Sequence, residues 1–382
     1  MKIYYWSPFF TNIATIKAVI KSAESLINFE KNKKYEVALI DAIGEWDLYK
    51  DNIKNEISII NLNKIKLTKY LPKDSFLKSR FSYFMIFFWN FFKLKRLINL
   101  DKPDYLIIHL MTSLPIFLSI FFTSKTKIIL RISGLPKINF FRFLLWKIFN
   151  YKIYKVTCPT KSTYDFLIKK NIFNQNKIQI LSDPIIDIKD YLKKKREVLK
   201  LNNLEKKKFI IGIGRLTKQK NFELLINFFE KVSKKYDEFE LAIIGQGEDE
   251  IKLKKLTKKL NIENKIYFLG YQENVFKFLH KSNCFVLTSL WEDPGFVIVE
   301  AALSNVPIIS SNCPNGPSEI IKENGYLYKN NDLDDLFSKF ELFLNSDKKK
   351  IHKDTLILKK RIKKFTLFQH YKNLTEILEQ KN

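Results

Sequence analysis

Two glutamates, Glu292 and Glu300, stand eight positions apart within the segment SLWEDPGFVIVEAALSNVPIISS. The hydrophobic pattern predicts a strand, a loop, a helix and a second strand, with Glu292 before the helix and Glu300 two turns into it. Pro294 and Gly295 suit the start of that helix, because proline is preorganised for the first helical position. Taken alone, two glutamates at this spacing are more often a surface residue and an ordinary helical residue than a chemical pair.

The start of the same helix is a candidate phosphate site. The backbone amides of Gly295, Phe296 and Val297 have no acceptor within the helix, and the helix dipole places partial positive charge beside them. Ligands of open parallel sheets bind at the carboxyl ends of the strands, which is where this loop lies. The segment therefore predicts a site for a phosphorylated ligand.

Two glycine-rich loops also follow predicted strands. GIGRL contains Gly214 and Arg215, with Lys220 five residues after the arginine, and IGQG contains Gly245. Glycine allows a ligand to approach the backbone closely, and the two cations can both reach one diphosphate. A structural turn with solvated charges is the alternative, but only seven of the 67 basic residues are arginine, which favours a specific purpose for Arg215.

Short apolar runs alternate with longer helical patterns over most of the chain. This alternation is typical of parallel sheets that helices cover on both faces. The predicted strands are Met1–Trp6, Tyr35–Ile40, Tyr105–Ile108, Lys127–Ile132, Phe209–Ile213, Glu240–Ile244, Ile266–Leu269, Cys284–Thr288 and Pro307–Ser310. We therefore predict an α/β protein with two doubly wound, Rossmann-like domains that face a central cleft.

The repeat of the pattern sets the domain boundaries. It stops at a charged segment that contains KKKREVLK and then begins again. We predict a first domain at residues 1–188, a linker at 189–207 and a second domain at 208–365. The last helix, at about residues 366–382, could cross back onto the first domain.

The formal net charge of +27 invites a nucleic-acid partner. However, the lysines are spread evenly, and arginine, which is preferred for bidentate contacts to phosphates and bases, is scarce. We therefore predict no nucleic-acid partner and expect attraction to an anionic membrane surface instead. The three isolated cysteines predict neither a disulfide framework nor a zinc site. We expect no signal peptide and no membrane-spanning segment.

Four segments, GRLTKQKN, IIGQGEDE, FLGYQENVFKFLHKSNCFVLTSLWEDPGFVIVEA and NGPSEIIKENGYLY, resemble consecutive motifs of the family 4 glycosyltransferases of the GT-B fold. The resemblance covers about residues 209–330, in order and with normal spacing. One segment alone would be weak evidence, whereas the ordered set is specific. It implies an enzyme that transfers a sugar from a nucleotide donor with retention of anomeric configuration.

The resemblance also implies a role for each candidate residue. Arg215 and Lys220 correspond to the pair that binds the donor diphosphate and stabilises the leaving nucleotide, so no metal or other cofactor is expected. Glu300 corresponds to the glutamate that holds the ribose hydroxyls, and Glu292 to the one near the transferred sugar. The other expected donor-binding residues are Gly214, Gly245, Gly295, Phe296 and Val297.

The first domain departs from the family pattern. The loop after the first strand lacks the usual glycine pair, and Arg131-Ile132-Ser133-Gly134 stands where many relatives carry a histidine. His109, at the end of PDYLIIH, is the only histidine of this domain. We take His109, Arg131 and Ser133 as candidate contacts with the sugar or the acceptor. A histidine satisfied within the fold is the alternative for His109.

The tripeptide Asp332-Leu333-Asp334 has the form of the Asp-x-Asp of metal-dependent transferases. It stands directly before a helical pattern, so helix capping is the better explanation. We predict no metal site there.

Two first-domain segments, Tyr83–Arg96 and Phe140–Lys155, combine aromatic and basic residues. Both predict amphipathic helices that could lie at a bilayer surface. Core aromatics with a solvated lysine face are the alternative, and they are the commoner case. Surface binding is favoured here because large aromatics occupy more than one face of each helix.

Together these features predict a cytoplasmic glycosyltransferase, peripheral on the inner face of the plasma membrane. The expected donor is a hexose or N-acetylhexosamine linked to UDP rather than GDP, and the expected acceptor is a lipid-linked glycan, an oligosaccharide or a polysaccharide. By analogy with relatives, the pathway would be O-antigen, capsule or lipopolysaccharide synthesis. The alternatives are a nucleotide-sugar epimerase of the same fold and a non-catalytic basic protein that binds membranes or nucleic acid. The scarcity of acid and base groups in the first-domain loops disfavours the epimerase.

Overall fold

The structure, a computed structural model, describes residues 1–9, 14–30, 32–71, 76–198 and 207–380. The chain divides into two compact units. The first unit contains Met1–Ile185 together with Leu367–Asn382, and the second contains Ile186–Thr366.

The first unit is an α/β layer structure. Its strands are β1 (Lys2–Trp6), β2 (Glu36–Asp41), β3 (Ser58–Asn61), β4 (Tyr105–Ile108), β5 (Lys127–Arg131), β6 (Lys155–Cys158) and β7 (Ile178–Ile180). Its helices before residue 186 are α1 (Ala14–Phe29), α2 (Phe76–Asp101), α3 (Ser113–Phe121), α4 (Phe140–Phe149) and α5 (Lys161–Lys170).

The seven strands pair in parallel in the order β3-β2-β1-β4-β5-β6-β7. Side chains of β1 alternate between the two faces: Tyr4 and Trp6 pack into one core, and Ile3 and Tyr5 pack into the other. Because both faces are covered, the strands read as continuous apolar runs. The strand order reverses between β1 and β4, so this is where loops diverge at the carboxyl edge.

The second unit repeats this design. Its elements are α6 (Ile188–Lys195), β8 (Lys208–Ile213), α7 (Phe222–Lys235), β9 (Phe239–Ile244), α8 (Glu250–Lys259), β10 (Ile266–Phe268), α9 (Phe276–Leu279), β11 (Cys284–Leu287), α10 (Phe296–Leu303), β12 (Ile308–Ser311), α11 (Pro317–Ile321), β13 (Tyr326–Tyr328), α12 (Leu333–Leu344) and α13 (Lys348–Arg361). The strands form one parallel sheet in the order β10-β9-β8-β11-β12-β13. The order reverses between β8 and β11. The predicted fold class, two doubly wound parallel sheets, is confirmed.

The linker predicted at residues 189–207 begins inside the second unit. The Asp187 carboxylate caps the first turn of α6 by accepting hydrogen bonds from the amides of Lys189 and Asp190. The buried Tyr191 hydroxyl then donates to the carbonyl of Leu303 at 3.1 Å, which fixes α6 against α10. Residues 199–206 of the predicted linker lie outside the described residues.

The last helix, α14 (Leu367–Glu379), belongs to the first unit. Its Leu374, Ile377 and Leu378 are buried in the core that also contains the apolar side chains of α1. The Tyr105 hydroxyl of β4 donates a hydrogen bond to the carbonyl of Leu378. Within the described ranges, no helix of either unit combines the length and apolarity that a membrane span requires.

A buried histidine ties α14 to the sheet. Nδ1 of His370 lies 2.8 Å from the carbonyl oxygen of Ser182, so this nitrogen carries the proton and donates it. Nε2 then accepts from the Ser22 hydroxyl at 2.8 Å. Burial, together with the positive charge of Arg131, lowers the pKa of His370 from 6.5 to about 3. The fold therefore holds this imidazole neutral.

We expect the first unit to lose stability as the pH falls below 6.5. The unfolded chain protonates His370 near pH 6.5, whereas the folded chain does not until about pH 3. Each pH unit in this window should lower the free energy of unfolding by about 1.4 kcal/mol. The measurement is urea unfolding at pH 7 and pH 5 followed by tryptophan fluorescence, since Trp6, Trp46, Trp89 and Trp146 all lie in the first unit.

The matched variants are His370→Gln and, as a control, His352→Gln on the exposed surface of α13. His370→Gln should reduce the pH dependence, and His352→Gln should leave it unchanged. The reduction should be partial, because burial also lowers the pKa of His109, whose protonation acts in the same direction. An undiminished pH dependence in His370→Gln would show that this histidine does not cause it.

Candidate functional site

The candidate site is built at the carboxyl edge of the second sheet, where β8, β9 and β11 end. The loops after β8 and β9 are joined through their backbones. The amide of Gly214 donates to the carbonyl of Ile244, and the amide of Leu216 donates to the carbonyl of Gln246, both at 2.9 Å. These bonds hold Arg215 in a fixed turn between two anchored residues.

Gly245 is required at the junction of these loops. Its φ of +140° lies in the region that favours glycine. A Cβ at this position would lie 1.8 Å from the carbonyl oxygen of Gly214. Both predicted glycines, Gly214 and Gly245, therefore serve the close packing of the loops, and the expected contact of Gly245 with a donor stays a prediction.

The structure brings Lys220 and Glu292 together. The ammonium nitrogen of Lys220 lies 2.6 Å from Oε1 of Glu292. The lysine comes from the loop after β8 and the glutamate from the loop after β11, so the pair spans the point where the strand order reverses. Glu292 is 3% exposed, and the Lys220 side chain is 14% exposed. Such a buried pair fixes the position of both charges.

Hydroxyl groups that the sequence reasoning missed support this pair. The Ser289 hydroxyl donates to the same Oε1 of Glu292 at 2.6 Å, and the Ser311 hydroxyl donates to the carbonyl of Ser289 at 2.6 Å. The Thr288 hydroxyl donates to the carbonyl of Lys220 at 2.9 Å. The sequence did hold a sign of this support. Thr288 and Ser289 directly follow β11, in the same loop as the candidate Glu292.

Arg215 differs from Lys220 in its surroundings. Its side chain is exposed, and among the described residues it makes no ion pair or hydrogen bond. The edge of the sheet thus carries Lys220, which a carboxylate holds in place, and Arg215, whose guanidinium has no partner among the described residues. Two cations on one short loop, together with the start of a helix on the neighbouring loop, suit the binding of a diphosphate.

The helix start lies two residues later than predicted. Helix α10 begins at Phe296, and Gly295 caps it with a φ of +93°. The prediction that Pro294 is the first helical residue was wrong, because the left-handed turn at Gly295 separates it from the helix. The amides of Phe296 and Val297 open the helix and have no acceptor within it.

Two contacts hold the turn before α10 in place. The amide nitrogen of the Asn315 side chain donates to Oδ1 of Asp293 at 2.5 Å. Gly316, with a φ of +134°, packs so closely that a Cβ there would lie 2.0 Å from the carbonyl oxygen of Pro294. The loop after β12 therefore fixes the helix start from outside. Glu300 follows on α10 and is half-buried.

The first unit places its candidates differently. Arg131 is buried and forms an ion pair with Asp183, so its guanidinium serves the fold rather than an open ligand surface. Ser133 is half-buried in the loop after β5. His109 directly follows β4 and is buried, and neither ring nitrogen has a hydrogen-bond partner among the described residues. Burial, with the charge of Arg131, lowers its pKa well below 6.5.

Asp332 has the capping role that the sequence predicted. Its carboxylate accepts a hydrogen bond from the amide of Asp335 at the start of α12. Asp334 pairs instead with Lys231 at 2.6 Å. Across the described ranges, no group of three or more His, Cys, Asp or Glu side chains is arranged to hold a metal ion.

Comparisons with known proteins place similar sequences and structures among the glycosyltransferases. Residues 193–365 match the family model described as glycosyl transferases group 1. An uncharacterized glycosyltransferase of Methanocaldococcus jannaschii is 43% identical over 155 residues, which are 40% of this chain and 36% of that protein. A Campylobacter jejuni enzyme, N-acetylgalactosamine-N,N'-diacetylbacillosaminyl-diphospho-undecaprenol 4-alpha-N-acetylgalactosaminyltransferase, is 25% identical over 259 residues, which are 65% of this chain and 66% of that enzyme.

The likeness in structure covers the whole chain. HepE of Anabaena, solved with UDP and glucose, matches 100% of both chains with a TM-score of 0.72 at 14% identity. The fold is therefore that of the GT-B glycosyltransferases. The match to the group 1 glycosyltransferase model lies within the second unit. It spans 36% of the length of the M. jannaschii relative.

Proposed function

We propose that the chain is a retaining glycosyltransferase of family 4 that moves a hexose or N-acetylhexosamine from a nucleotide donor. The observation that carries this proposal is the Lys220–Glu292 pair at the reversal of the strand order. Arg215 extends into solvent from the loop that leads to Lys220. A diphosphate bound between these cations and the start of α10 would have charge complementarity on each side.

The proposed reaction breaks the bond between the anomeric carbon of the donor sugar and a phosphate oxygen. The diphosphate then gains negative charge, which Arg215 and Lys220 stabilise more strongly in the transition state than in the bound donor. An acceptor hydroxyl attacks from the face that the diphosphate leaves and passes its proton to the departing phosphate, so the configuration is retained. Because the two cations supply the charge, we propose that the reaction needs no metal ion.

Each remaining residue of the site has a proposed contact. Both hydrogen bonds to Glu292 fall on Oε1, so Oε2 is placed to accept one from a hydroxyl of the transferred sugar. Glu300 accepts from the ribose hydroxyls. The amides of Phe296 and Val297 donate to the distal phosphate, as anions are favoured at helix N-termini.

In the first unit, His109 and Ser133 are the proposed contacts with the sugar or the acceptor. A buried imidazole without a hydrogen-bond partner is costly, and a ligand hydroxyl would satisfy it. Arg131 acts on them indirectly, because its ion pair with Asp183 orders the neighbouring strand ends.

The proposed substrates follow from relatives. UDP is the favoured nucleotide because HepE, which shares the fold, was solved with UDP and glucose. A polyprenyl-diphosphate-linked glycan is the favoured acceptor because the C. jejuni relative is named for a diphospho-undecaprenol substrate. Such an acceptor lies in the plasma membrane, so we place the enzyme at its inner face, in a pathway of cell-surface glycan synthesis.

Nucleotide binding tests the proposal. UDP or a UDP-sugar at about 100 times its Kd should stabilise the folded chain by about 2.7 kcal/mol, measured as a rise in Tm. Glu300→Ala should weaken binding about tenfold or more, because a carboxylate acceptor is lost. Glu263→Ala, an exposed glutamate elsewhere in the second unit, is the control. Incubating the donor without an acceptor separates the classes, since an epimerase would convert it and a transferase would not.

A further inference from the structure

Helix α2 exposes large aromatic side chains on the face that points away from the first unit. The residues that it buries against the first unit form a row that includes two polar side chains: Ser82, Ile86, Asn90, Leu94 and Ile98. The opposite row, Phe84, Phe88 and Phe92, is 65%, 66% and 77% exposed. At 100° per residue, Phe88 lies on the face opposite Asn90. The helix therefore presents phenylalanine to the outside over more than two turns.

The buried polar side chains of α2 show that this orientation is fixed. The Asn90 side chain accepts a hydrogen bond from the Asn63 side chain and donates one to the carbonyl of Ile86, at 2.8 and 2.9 Å. Rotating α2 to bury its phenylalanines would break the bond to Asn63 and expose Leu94. The outward phenylalanines are thus a property of the folded unit.

The exposed aromatic surface continues onto α3 and α4. Phe117 of α3 packs against Phe87 and Phe91 of α2, with ring centroids 5.8 and 6.0 Å apart. Helix α4 packs on α3 in turn. We call the seven phenylalanines of these helices that are at least 60% exposed the aromatic face: Phe81, Phe84, Phe88, Phe92, Phe121, Phe140 and Phe141. Contiguous apolar surface of this kind marks a site of association with a partner or membrane.

Charge identifies the partner. From residue 80 onward, α2, α3 and α4 contain six basic residues, Arg80, Lys93, Lys95, Arg96, Arg142 and Lys147, and one acidic residue, Asp101. A second copy of the chain would bring two such basic surfaces together across a symmetric interface, and like charges would repel. An anionic lipid surface accepts both the aromatic rings and the cations.

We infer that the aromatic face docks on an anionic bilayer, with α2 and α4 lying along the surface and their phenylalanines in the headgroup–acyl boundary. The inference rests on the proposed peripheral location of the enzyme and does not depend on the transfer chemistry. Docking there would anchor the first unit where a lipid-linked acceptor is found.

Vesicle sedimentation tests the docking. The full chain should sediment with vesicles of phosphatidylglycerol and phosphatidylcholine at low salt, and weakly with phosphatidylcholine alone. Raising the salt to about 0.5 M should release a large part of it, because exposed charges are then screened. The triple variant F84S/F88S/F92S should bind at least about tenfold more weakly. The control, I251S/L342S/L356S, removes three exposed apolar side chains of the second unit and should bind like the wild type.

Two readouts separate the possible failures. Light scattering gives the oligomeric state of the wild type and the triple variant, and the UDP-induced rise in Tm reports the second unit. Equal vesicle binding by the triple variant and the wild type would overturn the inference. The inference would also be overturned if the wild type were a dimer, the triple variant were a monomer, and neither bound vesicles. Loss of vesicle binding with an intact UDP response supports the docking, whereas an absent UDP response in all variants counts against the proposed function alone.

Discussion

Replacing Arg215 with alanine is expected to lower kcat for sugar transfer by about 10²- to 10³-fold, as removal of a single charge-stabilising donor does in other active sites. The guanidinium would contact the diphosphate in the bound donor and more strongly as the leaving charge develops, so kcat/KM should fall at least as much as kcat. Thermal unfolding should not change, because Arg215 is exposed and bonded to no described side chain. Steady-state kinetics on the purified variant measure the effect.

Lys218→Ala is the matched control for Arg215. Lys218 is an exposed cation three residues away on the same loop, so its loss changes the net charge equally. We expect Lys218→Ala to retain nearly wild-type kcat. An equal and small effect of both substitutions would mean that the loop supplies only general positive charge.

Replacing Lys220 with methionine should damage both catalysis and stability. The expected fall in kcat is again about 10²- to 10³-fold. In addition, the carboxylate of Glu292, which is 3% exposed, would remain buried without its cation, and Ser289 would be its one remaining side-chain partner among the described residues. Breaking a buried ion pair in this way costs about 3 kcal/mol or more. Kinetics and urea unfolding of one preparation measure the two losses.

The double variant K220M/E292Q separates the two roles of the pair. Glutamine removes the stranded charge and can still accept the bond from Ser289, so stability should return to near the wild-type value. Activity should not return, because no cation remains at position 220. A double variant that regained activity would show that Lys220 acts in catalysis only by neutralising Glu292.

The candidate site of the second unit was largely predictable from the sequence. In a parallel sheet, the carboxyl ends of the strands share one edge, so residues that follow β8, β9 and β11 must lie near one another. Arg215, Lys220 and Glu292 lie on the predicted loops, after β8 and β11. The direct bond between Lys220 and Glu292 was not predictable, because it depends on where two side chains point that are 72 residues apart in the sequence.

Local conformation limited the rest of the site. Pro294 fits a helix start on propensity alone, but Gly295 takes a left-handed turn that the close approach of Gly316 holds in place. That approach comes from a different loop and leaves no local trace in the sequence. Ser289 was missed for the same reason, since its role depends on the position of Glu292.

In the first unit, the buried face of α2 and the role of Arg131 could not be predicted from the sequence. The aromatic residues of α2 lie on several faces, so their spacing predicted a surface helix without showing which face is buried. Asn63, a distant residue, decides this by bonding to Asn90. Arg131 was predicted to contact a ligand because arginine is scarce and this one stands at a strand end. Its actual partner is the buried Asp183, 52 residues further along the chain, which the local sequence does not reveal.

The central claim is that the second unit binds a nucleotide-sugar donor through Arg215, Lys220, Glu300 and the start of α10. The most direct test is the Tm of the wild type, Glu300→Ala and Glu263→Ala with increasing UDP. We predict a rise that depends on UDP concentration in the wild type and Glu263→Ala, and a curve shifted to about tenfold higher concentration in Glu300→Ala. No rise with UDP or any other nucleotide, or an identical rise in Glu300→Ala, would contradict the account.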